Sequence, residues 1–234
     1  MPYRDQHVVV TGGTGALGIA VVGALLEAGA ICHVPYVSEA EAQRFPYRDE
    51  GRVVLVSVTD LADEGEVARL FASVPRLWAS IHLAGGFAFA AIGDTSMAEL
   101  RRQIDMNFTT CFLCCRAAVA AMTRAGGAGG RIVNVTARPA LEGRPGANMT
   151  AYAASKAAVA TLTIALAEEV AGKGILVNAI APSILDTPAN RKAMPNADHA
   201  AWPKVDEVAR TIVFLASPDN KVTRGAIVPV YGKV

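Results

Sequence analysis

Short runs of β-branched residues alternate with longer Ala- and Leu-rich runs of helical period along the whole chain. Runs such as HVVVT (7–11) and ILVNAI (175–180) are apolar without alternation, the pattern of strands buried on both faces. The period predicts strands at 7–11, 31–37, 53–58, 80–85, 131–135, 175–180 and 226–230. It predicts helices at 16–28, 65–73, 97–125, 151–172 and 205–216, with a glycine-rich loop, GGAGG, before the fifth strand. Strands and helices in this alternation build βαβ units around a parallel sheet. No internal repeat or low-complexity linker interrupts them, so residues 1–234 read as one α/β domain, a doubly wound parallel sheet of about seven strands flanked by helices.

The composition excludes several classes. There are 22 Lys+Arg against 21 Asp+Glu, a formal net charge of +1, with 52% apolar and 18% charged residues. That is too apolar for a disordered chain, and it lacks the basic block that a nucleic-acid partner needs. Sparse charge suits a surface partly covered by copies of the same chain. No apolar run approaches the roughly eighteen residues of a membrane span. The start, MPYRDQHVVVTGG, enters a strand instead of a signal peptide. Four Cys (32, 111, 114 and 115) make no disulfide framework in a chain of this length, so a cytoplasmic location is expected. Cys111, Cys114 and Cys115 lie in the apolar helical stretch MNFTTCFLCCRAAVAAM with no second ligand pair at zinc spacing. They read as small packing thiols, and no metal is expected.

Between the first strand and first helix lies Thr11-Gly12-Gly13-Thr14-Gly15-Ala16-Leu17-Gly18. Side chains here would keep a dinucleotide pyrophosphate away from backbone N–H groups, and the helix N-terminus behind the turn supplies donors and positive potential. Gly12, Gly13, Thr14, Gly15, Ala16 and Leu17 are therefore candidate cofactor contacts in a Rossmann-type fold. An acidic residue ending the second strand would accept from the adenosine ribose and repel a 2′-phosphate. Here the strand runs through Tyr36 and Ser38 with no carboxylate before Glu39, and no Arg or Lys before Arg44. This leans the expected cofactor towards NADP(H) over NAD(H). Asp60, after the third strand, is either an acceptor for the adenine amino group or a helix N-cap in TDLADEGE.

Tyr152 and Lys156 open the long helix four residues apart, on one face. A phenol with an ordinary pKa of about 10 becomes an acid–base group near neutrality when an ammonium favours its anion. The alternative is an exposed polar stripe; beside the glycine turn, the pair fits proton transfer next to a hydride donor.

With these motifs at this spacing, the chain resembles the short-chain dehydrogenase/reductase family over essentially its whole length. The resemblance rests on TGGTGALG, Tyr152-x-x-x-Lys156, Asn107 in MNFTT, and Pro182 followed by Thr187 in APSILDTP. It implies that Tyr152 is the general acid or base, and that Lys156 tunes it and holds the nicotinamide ribose. It also implies that Asn107 holds a water linking Lys156 to solvent, and that the Ile184 backbone and Thr187 contact the nicotinamide carboxamide. His82-Leu83-Ala84-Gly85-Gly86 stands where the family carries Asn-Asn-Ala-Gly after the fourth strand; Gly85 still admits the ribose, but the Asn that ties neighbouring strands is lost. The resemblance implies a small-molecule substrate and a homodimer or homotetramer built on the helices at 97–125 and 151–172.

The family's carbonyl-binding Ser falls here at Pro139 by spacing from Tyr152, or at Ala137 by anchoring on the strand RIVNV. Thr136 should point away from the site if strand alternation persists, which leaves Thr150 as the other nearby hydroxyl. Dihydropteridine reductases are similar here: ARPALEGRPG (137–146), the segment LDTPANRKAMPNADHAAW (185–202) and Ala84-Gly85-Gly86 resemble theirs, and their quinonoid substrate needs little activation. The chain differs from them in Asn107, in a longer loop before Tyr152 and in Tyr36. Two functions follow: hydride transfer between NAD(P) and a carbonyl, alcohol or quinonoid C=N, or a weakly catalytic cofactor-binding sensor or assembly subunit. The proline-punctuated segment 187–203 lies where the fold places a lid. Met194 and Trp202 either shape the substrate pocket or anchor that lid.

Overall fold

The structure, a computed structural model, describes residues 2–124 and 129–234. Its strands are β1 (His7–Thr11), β2 (Ile31–Tyr36), β3 (Val53–Ser57), β4 (Leu77–His82), β5 (Gly130–Val135), β6 (Ile175–Pro182) and β7 (Ile227–Val230). They form one parallel sheet in the order β3-β2-β1-β4-β5-β6-β7. The helices are α1 (Ala16–Glu27), α2 (Glu39–Arg44), α3 (Glu64–Ala72), α4 (Met97–Ile104), α5 (Thr110–Thr123), α6 (Arg138–Leu141), α7 (Thr150–Glu169), α8 (Pro188–Ala193) and α9 (Val205–Ala216).

Because β1 and the other central strands bury both faces, two cores form, one on each side of the sheet. Val9, Ile132 and Val177 pack with Leu70 and Phe71 of α3, Leu113 and Ala118 of α5 and Val159 of α7. Val8, Val10, Ile81 and Val133 pack with Val21, Val22 and Leu25 of α1 and Ile212 of α9. Each such Leu, Ile or Phe removed from water contributes about 1.5–3 kcal/mol, which makes the doubly wound arrangement the stable one.

Four differences from the sequence expectation have physical causes. The fourth strand lies three residues earlier than predicted, at Leu77–His82. Leu77 opens the ladder against His7, whereas past His82 the Leu83 amide makes a last bond to the Thr11 carbonyl and the chain leaves the sheet. The helix predicted over 97–125 is broken by a π-turn, Asp105–Thr109, before α5 resumes; residues 125–128, with most of the GGAGG loop, lie outside the described residues. The polar helices α2, α6 and α8 have too little apolar period to be predicted. Finally, Met97–Thr123 and Thr150–Glu169 are long and apolar enough to cross a membrane by length and composition, contrary to the expectation of no such run. Both instead turn a buried stripe to the sheet, as core helices do.

Candidate active site

The strand order reverses between β1 and β4, and the crevice of a doubly wound sheet opens at that point, beyond the carboxyl ends of the strands. The chain after β4 is laid across the glycine turn: the Ala84 amide donates to the Thr11 hydroxyl (3.3 Å). Gly12 adopts φ +66, and a Cβ there would stand 2.7 Å from the Ala84 nitrogen, so only glycine permits this approach. α1 has Gly15 as its N-cap, with no side-chain cap and no acidic residue in its first turn. By contrast, α2, α3, α4 and α8 are capped by Ser38, Asp63, Ser96 and Thr187. The Gly15 amide closes the turn on the Gly12 carbonyl (3.1 Å), and the neighbouring amides of Thr14, Ala16 and Leu17 at the crevice fit a pyrophosphate.

At the end of β2, Tyr36 is half-buried, and the Ser38 hydroxyl accepts from the Glu41 amide (3.3 Å). Glu41 reaches back and accepts from the Val37 amide (3.4 Å). A carboxylate thus stands at the strand tip although the sequence places none before Glu39. The Asp60 carboxylate accepts from the Ala62 amide (2.8 Å), while the N-cap of α3 is Asp63. The cap reading of Asp60 is corrected accordingly.

Lys156 is buried, and its Nζ donates to the carbonyl of Val135 at the end of β5 (3.0 Å). Desolvation lowers its ammonium to about 8. A Cβ on Gly85 would come within 3.2 Å of that Nζ and 2.6 Å of Asn107 Oδ1, so glycine keeps the ammonium reachable from the crevice. Asn107, presented by the π-turn, clamps Gly86: its Oδ1 accepts from the Gly86 amide (3.0 Å) and its Nδ2 donates to the Gly86 carbonyl (3.1 Å). Nδ2 also faces Ser155 Oγ (3.2 Å) and Gln103 Oε1 (3.3 Å). The side chain is committed to these partners, so any water relay through this residue would fall to its main chain.

Tyr152 sits one turn before Lys156, half-buried, with the edge of Phe87 against its ring at 5.0 Å. Burial pushes the phenol up to about 12. The expected downward pull of Lys156 is not in place in this geometry, where the ammonium is turned to Val135. Phe87 was not singled out from the sequence; the alternation in GGFAFA was the available signal.

Ala137 is buried as the N-cap of α6, and Pro139 lies in that helix, so neither position of the missing Ser carries a hydroxyl. Thr136 does point away, its Oγ1 donating to the Lys156 carbonyl (2.6 Å). Thr150 is exposed at the start of α7. The strand tie lost with the Asn-Asn motif is replaced by His82, whose Nδ1 meets Asn134 Oδ1 across β4 and β5 (2.8 Å).

Pro182 ends β6, and Ile184 is exposed beyond it. Thr187 caps α8 through the Asn190 amide (3.2 Å). Asp186 pairs with Arg191 and Lys204, which hold its carboxyl well below the usual range and tie α8 to the start of α9. Trp202 is buried, its ring 4.6 Å from His199, whose Nε2 donates to the Met194 carbonyl (2.8 Å). Met194, His199 and Trp202 therefore pack with one another as the base of the lid segment, which favours the anchor reading over the pocket reading.

The fold and crevice define a nucleotide-binding doubly wound protein. The sequence model of the short chain dehydrogenase family matches residues 6–198, and the chain belongs to that family, whose members are oxidoreductases that bind NAD(P) and act on small molecules. Cis-4-hydroxycyclohexanecarboxylate dehydrogenase of Sinomonas cyclohexanicum is 35% identical, covering 98% of this chain and 96% of that protein. Galactitol 2-dehydrogenase of Rhizobium johnstonii is also 35% identical, covering 96% and 93%. The crystal structure of gox2181 superposes with a TM-score of 0.90 at 30% identity, covering 98% of this chain and 95% of that one. These matches establish the family and single out no dihydropteridine reductase-like branch within it.

Proposed function

We propose that this oxidoreductase transfers a hydride between NAD(P) and a carbonyl or alcohol of a small molecule, with Tyr152 as the acid or base. The observation that carries the reading is the buried ammonium of Lys156, packed against Gly85 and one helical turn from Tyr152. The bound nicotinamide supplies or accepts the hydride. The first turn of α1 holds phosphate, Asn107 fixes Gly86 beside Gly85, and Pro182, Ile184 and Thr187 border the nicotinamide end. With its pKa raised to about 12, Tyr152 is a protonated phenol at neutral pH, ready to donate to a carbonyl oxygen. The reductive direction therefore needs no prior ionisation. Two relatives named for dehydrogenating a hydroxylated cyclohexanecarboxylate and galactitol support alcohol–carbonyl chemistry.

Ala137 and Pro139 favour a second substrate class. Loss of a carbonyl donor costs about 2.7–4 kcal/mol of transition-state stabilisation, a loss that an already electron-poor quinonoid C=N tolerates. On the cofactor, Tyr36 and Ser38 leave room for NADP(H), but Glu41 opposes a 2′-phosphate, so we propose use of both cofactors with a weak preference. The outward Phe112 of α5 and Ile164 of α7 support self-association, and four unpaired thiols suit a cytoplasmic location. Sedimentation at micromolar concentration reads the first of these.

The test is oxidation of NADPH and NADH with a panel of cyclic ketones, ketoses, quinones and quinonoid pterins. Tyr152→Phe should lower kcat by about 100-fold or more on any substrate the parent turns over. Full turnover by that variant would refute the role of Tyr152. Cofactor binding with no turnover on any compound would favour the sensor or assembly-subunit reading.

A further inference from the structure

We infer that His82, Cys111, Cys115 and Asn134 form a closed site for one divalent thiophilic cation of the zinc and cadmium class, stapling α5 to the two central strands β4 and β5. The cysteines alone carry no such reading, because their spacing lacks a second ligand pair. The fold supplies it from elsewhere. Cys111 and Cys115 are four residues apart on α5 and so share one face. That face meets His82, and the two sulfurs and a ring nitrogen all lie within 4.8 Å of one another, fully enclosed. Cys115 Sγ is 3.5 Å from His82 Nδ1 and 3.5 Å from Asn134 Oδ1. With Zn–S near 2.3 Å and Zn–N near 2.0 Å, the S···N edge of a tetrahedral site is roughly 3.5 Å. Both Cys115 edges therefore already have that length, and Cys111 Sγ lies within 4.8 Å of the other sulfur and the ring nitrogen. The His82–Asn134 edge of 2.8 Å has to open by about 0.5 Å to complete a site of two sulfurs, one nitrogen and one oxygen.

The surrounding hydrogen bonds orient these donors as a metal would need them. Thr163 Oγ1 donates to the Val159 carbonyl and so accepts from Asn134 Nδ2 (2.9 Å), which turns Asn134 Oδ1 into the cluster. His82 Nδ1–H then donates to that oxygen, and Nε2 accepts from the Ser80 hydroxyl (2.7 Å). On binding, the two thiols release their protons to water. The His82 proton moves from Nδ1 to Nε2, where Ser80 can accept it as readily as it now donates. Two sulfur anions balance the divalent ion, so the loaded site adds no net charge behind Lys156. Cys114 is equally buried on α5 but is not part of the cluster, and it provides an internal control.

The test titrates the reduced, chelator-stripped full chain with cadmium chloride, following the ultraviolet thiolate-to-cadmium charge-transfer band and the bound metal by elemental mass spectrometry. The expected result is one cadmium per chain with two thiolates. Binding should weaken about 100-fold in Cys111→Ala and Cys115→Ala and stay unchanged in Cys114→Ala. Bound cadmium should also raise Tm of the parent, because the assembled site binds it more tightly than the scattered thiols of the unfolded chain. Alkylation mapped by peptide mass keeps the result readable without any variant: one equivalent of cadmium should shield Cys111 and Cys115. No thiolate band, a band that survives both Ala variants, or equal loss in Cys114→Ala would overturn the assignment.

Discussion

Replacing Lys156 by Met should make the cofactor-free protein more stable at neutral pH and remove a rise in stability towards alkaline pH. Desolvation at the end of β5 lowers this ammonium from 10.5 to about 8, while the unfolded chain keeps the ordinary value. Below about pH 8 both states are protonated, and the full cost of burying the cation is present. Between 8 and 10.5 the unfolded chain holds a proton that the folded protein has released, so folding grows more favourable as pH rises. Above 10.5 neither state is charged and the cost is gone. At about 1.4 kcal/mol per pH unit, this window is worth about 3 kcal/mol. The Met side chain also forfeits the hydrogen bond to the Val135 carbonyl, worth about 1 kcal/mol, so the net gain at pH 7 is about 2 kcal/mol. Other groups act in the opposite direction: burial raises Tyr152 and Cys32 to about 12 and also raises Cys114, which favours the unfolded chain at high pH. They are common to both proteins and cancel in the difference. Urea unfolding followed by Trp fluorescence, from about pH 7 to about pH 10.5, gives that difference. The stability of the parent minus that of the variant should climb by about 3 kcal/mol. A flat difference would mean that Lys156 is not desolvated and would refute the picture of a strained ammonium held for the cofactor.

Two further substitutions probe how the crevice is held. Asn107→Ala removes both bonds to Gly86 and leaves buried polar partners unpaired, so urea unfolding should show a loss of about 2–4 kcal/mol. Cofactor affinity should fall with it, and Asn107→Asp should fail to restore either, because a carboxylate cannot donate to the Gly86 carbonyl; rescue by Asp would contradict the clamp. Glu41→Gln takes one charge from the tip of β2. A surface charge pair is worth about 1 kcal/mol, so the NADPH-to-NADH ratio of kcat/KM should rise about fivefold. An unchanged ratio would show that Glu41 does not face the adenosine ribose.

What could be read along the chain was whatever depends on neighbours in sequence. β1 and β6 are continuous apolar runs, and the glycine turn follows β1 directly. Tyr152 and Lys156 share a helix face, so each was visible from spacing alone. The π-turn at Asp105–Thr109 was not, because MNFTTCFLCC is apolar enough to fit a turn of either width, and only the i to i+5 bond from Thr110 to Asp105 distinguishes them. The end of β4 was misjudged because Leu83 and Ala84 are as apolar as the strand, yet the glycine turn draws them out of it. Glu41 was overlooked for a different reason: a carboxylate that folds back over its own helix start occupies a place that strand numbering assigns to Tyr36 or Ser38.

The same limit explains His82. Read in sequence, it marks the loss of an Asn that ties strands in the family. In the fold it restores that tie by meeting Asn134, 52 residues away. Its imidazole also brings a nitrogen to thiols that alone looked like packing. A buried imidazole needs partners on both ring nitrogens to avoid a desolvation cost of about 1–3 kcal/mol, and Ser80 and Asn134 provide them. The imidazole at the end of β4 is therefore held by one side chain of the same strand and one of β5. The stability of the sheet behind the crevice now depends on that set. Removing His82 alone would leave the buried Ser80 hydroxyl without its partner and Asn134 Oδ1 with only the weak Cys115 thiol, on the strand that leads to Gly85 and Gly86.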